Sequence, residues 1–98
     1  MSHDGQRVVR ILVTGRVQGV GFRHWTRKRA LALGLAGWVR NRGDGRVEAL
    51  LAGQEAEVAK MLAAIRHGPA LAAVASVEEH AAEIADADRG GFIERPTV

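Results

Sequence analysis

Apolar positions divide the chain into short strand-like runs and two longer helical stripes. Val8–Val13 (VVRILV) is short and rich in β-branched residues, which suits a strand. From Phe22 to Leu33, apolar or small residues recur at Phe22, Trp25, Thr26, Ala30 and Leu33, the spacing of an amphipathic helix. Gly34 stands where a left-handed residue ends such a helix. Leu35–Arg40 (LAGWVR) reads as a second strand and Gly43-Asp44-Gly45 as a hairpin turn. Arg46–Leu51 (RVEALL) puts Val47, Ala49 and Leu51 on one face and reads as a third strand, antiparallel to the second. A second helical stripe, Val58, Met61, Leu62 and Ile65, lies within Gln54–His67, and Gly68-Pro69 stops it.

Residues 70–88 are ambiguous. Their Ala and Glu favour helix by propensity, and only Val74-Ala75-Ser76-Val77 looks extended. A βαββ core followed by a helix needs another strand to pair with, so a strand is expected at about Ser76–Glu83. A short last strand is expected near Phe92-Ile93, before Pro96. The order β-α-β-β-α-β predicts an α+β fold: a ferredoxin-like α/β sandwich with two helices on one face of an antiparallel sheet. Residues 1–6 are expected to fray as a flexible tail, leaving 7–98 as one domain.

Composition narrows the chemistry. The 98 residues contain no Cys, which excludes disulfides, a thiolate nucleophile and Cys-ligated metal. The N-terminal residues lack the apolar stretch of a signal peptide, and no run is long enough to span a bilayer, so a soluble cytoplasmic protein without membrane contact is expected. The net charge of +3 is unevenly spread: residues 1–46 carry ten basic and two acidic groups, residues 47–98 four basic and nine acidic. The basic half would attract anions.

That half contains Gly15-Arg16-Val17-Gln18-Gly19-Val20-Gly21-Phe22-Arg23, a glycine-rich loop between the first strand and the first helix. Such a loop can aim several N–H groups at one point, and Arg23 adds a planar fork that can hold two oxygens of a phosphate or carboxylate. Arg16, Val17, Gln18, Gly19 and Val20 are the candidate binding residues, with Gln18 also suited to shaping the loop. No Gly-Lys-Ser/Thr follows, which excludes a nucleotide-binding P-loop. His3, His24, His67 and His80 show no ligand spacing, so neither a metal site nor a cofactor is expected. His24 lies about 100° around the helix from Arg23 and reads as a solvent or edge residue. Trp25 and Trp38 fall on apolar stripes and read as core. Asn41, the only Asn, ends the second strand; on its own it reads as a turn residue.

Gly15-x-Val17-Gln18-Gly19-Val20-x-Phe22-Arg23 resembles the first signature of the acylphosphatases. Gly37-Trp38-Val39-Arg40-Asn41, with Gly45-x-Val47 and Gly53, resembles the second. The resemblance runs from about Val8 to Pro96. It implies the ferredoxin-like sandwich and a metal-free, cofactor-free hydrolysis of acylphosphates to carboxylate and inorganic phosphate. Arg23 and the loop N–H groups would bind phosphate, and Asn41 would hold the attacking water; a monomer is expected. Gly90-Gly91-Phe92-Ile93-Glu94-Arg95 departs from the family's alternating last strand.

The chemistry is consistent with this resemblance. A carboxylate leaving group needs no strong general acid, and phosphoryl transfer depends on positioning and charge stabilisation. Three or four charge-assisted hydrogen bonds, each about 1.5–3 kcal/mol, would supply roughly 5–10 kcal/mol if they strengthen in the transition state. An amide orients water but cannot deprotonate it near neutral pH, which leaves the substrate's own phosphate oxygen as the base. Two other functions share these features. A non-catalytic anion-binding or regulatory module would keep the cradle. An RNA-binding domain of the same topology would need aromatic platforms on strands one and three, and these strands have none. Nucleic acid is therefore not expected as a partner.

Overall fold

The computed structural model describes residues 5–98. Five strands and two helices follow in the order β1 (Gln6–Arg16), α1 (Phe22–Ala32), β2 (Ala36–Asn41), β3 (Val47–Gln54), α2 (Glu55–His67), β4 (Ala73–Ala81) and β5 (Phe92–Glu94), with a 3₁₀ turn at Asp86–Asp88. The sheet order is β4-β1-β3-β2-β5. This is the expected ferredoxin-like α+β sandwich. Of the expected tail, Met1–Asp4 lie outside the described residues. The Glu55 N–H donates to the Gly5 carbonyl at 2.6 Å, and Gln6 pairs with Gln54 at the start of β1.

The sheet is mixed, not wholly antiparallel as expected. β5 runs parallel to β2, with Gly37 opposite Phe92 and Val39 opposite Glu94. The reason is the segment 82–91, which leaves β4 at one edge and returns at the other, so the chain re-enters the sheet in the direction of β2. On the way, Ala82 and Ile84 pack on Trp38, Leu50, Ala52, Ala36 and Val8, closing the face opposite the helices. The main core lies between sheet and helices: Val9, Ile11, Val13, Val39, Val47, Ala49 and Leu51 meet Phe22, Ala30, Val58, Met61, Leu62 and Ile65. β3 is therefore covered on both faces, and Val47–Ala52 are all buried.

β4 starts three residues earlier than expected and ends two earlier. It is an edge strand whose side chains are mostly exposed, so few apolar residues marked its limits. At the far end of β1, the β1–β4 register shifts between Thr14 and Gly15. Gly15 has φ 130°, and a Cβ there would lie 2.3 Å from the Ala73 carbonyl oxygen. Only glycine fits this bulge, which turns the chain out of the sheet into the following loop.

Candidate active site

The loop leaving β1 runs into the N-terminus of α1. Gly21 is the N-cap, in the left-handed region at φ 78°, and no side chain caps the helix. The first helical backbone bond runs from the Trp25 N–H to the Gly21 carbonyl at 3.0 Å. Among the described residues, no acceptor of the protein takes the N–H groups of Gln18, Gly19 and Val20, or those of Phe22, Arg23 and His24 in the first turn. A run of free donors at the positive end of a helix dipole is an anion cradle.

Beside it lies a pocket of about 170 Å³, lined by Val17, Gly19, Gly21, Phe22, Arg23, His24, Asn41 and Glu94. Arg23, half-buried, makes no ion pair, hydrogen bond or ring contact among the described residues. Most guanidiniums of the neighbouring sheet are engaged: Arg10, Arg40 and Arg42 on Glu48, Arg46 on Asp44, Arg95 on Asp88. Among the described residues the Asn41 side chain is also without a hydrogen bond, while its backbone carbonyl accepts from the Val98 N–H at 3.1 Å. A fixed strand thus presents a free amide to the pocket that a free guanidinium enters from the helix.

Of the residues expected from sequence, Val17, Gly19, Arg23 and Asn41 meet at this pocket. Arg16, Gln18 and Val20 do not line it. Arg16 is exposed at the end of β1, and the side chain of Val20 packs against the core. Gln18 reaches instead to the β2–β3 hairpin, where its Nε2 donates to the carbonyls of Arg42 (2.8 Å) and Arg46 (3.0 Å). It pins the loop to the turn after Asn41. Gly21, Phe22, His24 and Glu94 were missed. His24 is exposed, as expected, yet sits on the rim with Nδ1 3.6 Å from Glu94 Oε2. The 100° argument holds along the side of a helix, but the pocket lies at its end, where the whole first turn surrounds it. Trp38 is buried as expected, under Ile84 on the outer face, and stacks with Arg40 and Arg95 at 4.6 and 5.0 Å. Trp25 is half-buried against the main core.

The hairpin carrying Asn41 rests on an ionic cluster. Glu48, 3% exposed, accepts from Arg10 Nη1 at 2.9 Å, Arg40 Nε at 2.8 Å and Arg42 Nη1 at 3.2 Å. Burial pushes its carboxyl up, but the hydrogen bonds from Arg40 and Arg10 and the charge of Arg40 outweigh this and hold it below its usual value. In the turn, Asp44 accepts from the Arg46 side chain and backbone N–H, and from Arg42; these bonds hold it far below the carboxylate range. Arg42 therefore connects Glu48 to the carbonyl that Gln18 grips.

Comparison with known proteins agrees with this architecture. The acylphosphatase family model matches residues 9–93. An acylphosphatase of Nitrobacter hamburgensis is 53% identical over 95 residues, covering 93% of this chain and 96% of the relative. One from Rhizobium etli is 49% identical over 86 residues, covering 88% and 92%. The solved acylphosphatase of Coxiella burnetii superposes with a TM-score of 0.87 at 32% identity, covering 97% of this chain and all of that one. The chain belongs to the acylphosphatase family.

Proposed function

We infer that this pocket performs the family's reaction: the protein is an acylphosphatase, hydrolysing the carboxyl–phosphate bond of acylphosphates to carboxylate and inorganic phosphate. Arg23 and the free amides of Gly19, Phe22, Arg23 and His24, which line the pocket, hold the phosphoryl oxygens and stabilise the charge that grows on them. Asn41 accepts one hydrogen of the attacking water and aims its oxygen at phosphorus. The new P–O bond forms as the bond to the acyl oxygen breaks. The carboxylate leaves with that electron pair, and the water's proton passes to a phosphate oxygen. No step needs a resident metal or cofactor, because the cationic and donor groups come from the chain and the leaving group is a weak base. Inorganic phosphate is the product that stays in the cradle. The observation that carries this reading is that Arg23 and Asn41, from separate elements and both without a partner among the described residues, line one pocket beside the helix end. The Cys-free composition suits the cytoplasm, and we place the protein there as a monomer acting on small molecules.

The test follows the absorbance change on hydrolysis of benzoyl phosphate, with a phosphate monoester as control. The unaltered protein is expected to hydrolyse the first and spare the second. Asn41→Ala should lower kcat by about 100-fold or more, as loss of one positioned transition-state contact does, while phosphate still inhibits competitively. Near-normal kcat in that variant would overturn the role of Asn41.

A further inference from the structure

The phosphate pocket is small for an acylphosphate with a bulky acyl group. Its 170 Å³ lies below the roughly 300–1,000 Å³ of small-molecule sites. A second, open groove of about 560 Å³ adjoins it, lined by Gly21, His24, Trp25, Lys28, Arg29 and Ala32 on the outer side of α1. The two share Gly21 and His24, so a substrate with its phosphoryl group in the cradle can run directly into the groove.

We propose that this groove is the acyl subsite, and that it favours acylphosphates whose acyl group is flat or apolar near the carbonyl and carries a second negative charge farther out; this rests on the hydrolase reading above. Trp25 forms the apolar wall. It is half-buried and meets Phe22, itself part of the phosphate pocket, edge-on at 5.5 Å. Arg29 lies over the Trp25 ring at 5.2 Å. The charge of the helix points the same way. α1 contains Arg23, Arg27, Lys28 and Arg29 and no carboxylate. Lys28 and Arg29 have no ion pair among the described residues. Like charges four apart, such as Arg23 and Arg27, repel within a helix; Arg29 is offset by its ring contact and its last-turn position, whereas Lys28 has neither. Helical side chains lean toward the N-terminus, which brings Lys28 and Arg29 back toward the cradle rather than away from it. Glu94 also lines the small pocket and sits against His24, its Oε2 3.6 Å from Nδ1, so the groove's positive charge lies beyond that contact, at Lys28 and Arg29.

The experiment compares benzoyl phosphate with 4-carboxybenzoyl phosphate, using the unaltered protein and a Lys28→Gln/Arg29→Gln double variant. Both residues are exposed, so the variant keeps its core. The unaltered protein should favour the carboxylated substrate in kcat/KM, and the double variant should lower that preference by about fivefold to tenfold, the effect of two exposed charges. An equal loss for both substrates would overturn the subsite and leave the helix face as general electrostatic attraction, and no loss for either would overturn the subsite outright. No turnover of either substrate by the unaltered protein would overturn the hydrolase reading and the subsite with it.

Discussion

Gln18 tests whether the two halves of the pocket must be held together. Its Nε2 makes two hydrogen bonds, to Arg42 and Arg46 carbonyls, and both are partly buried. Removing them with Gln18→Ala costs about 0.5–1.5 kcal/mol each, so about 1–3 kcal/mol in total. For a domain of this size each kcal/mol lowers the thermal midpoint by about 4–8 °C, so a loss of about 4 °C or more is expected by calorimetry. The functional loss should be unequal. The cradle, Arg23 and their affinity for phosphate lie on one side of the pin, whereas Asn41 lies on the other. Phosphate inhibition should therefore change little while kcat falls about tenfold or more, since small misplacements of a positioned group are costly. Gln18→Glu sharpens the test. At neutral pH a carboxylate would face two carbonyl oxygens, so this variant should be less stable than Gln18→Ala, and should recover relative to it in acid, once the acid can donate. A Gln18→Ala protein with unchanged midpoint and unchanged kcat would refute the idea that the pin aligns the site.

Other outcomes follow from the same geometry. Arg23→Lys keeps the charge but loses the bidentate fork; kcat/KM for benzoyl phosphate should fall by about 3 kcal/mol, over 100-fold, and added guanidinium should restore part of it. Glu48→Gln should flatten the acid limb of stability. Because the folded carboxyl lies below its unfolded value, its contribution is present above the unfolded pKa and is lost as pH falls through the folded one, so midpoints measured down from pH 5 should drop less steeply in the variant. EDTA should leave turnover unchanged; loss restored by a divalent cation would contradict the mechanism.

The glycine-rich loop with Arg23 was legible locally as an anion cradle, whereas Asn41 read on its own as a turn residue and took its place in the candidate site only from the resemblance. The glycine-rich run must leave a strand and start a helix, and Asn41 must end a strand before a tight turn; neighbouring residues decide both. What was not legible is decided across the sheet. β4 is an exposed edge whose side chains carry little pattern, so its limits slipped. Glu48 looks like an outward polar residue of an alternating strand, but Ala82 and Ile84 close the outer face and three arginines surround it. The direction of β5 depends on where segment 82–91 crosses, which no local pattern encodes. Glu94 reaches the pocket only through that pairing.

The crossing segment also has a kinetic meaning. β2, the strand that carries the water-holding amide, gains its second neighbour only when Val39 meets Glu94, and Trp38 and Leu50 are sheltered only once Ile84 lies over them. Contacts so far apart along the chain form slowly. Until that segment crosses, a refolding polypeptide lacks both the cover over Trp38 and Leu50 and the outer neighbour of the strand that ends at Asn41.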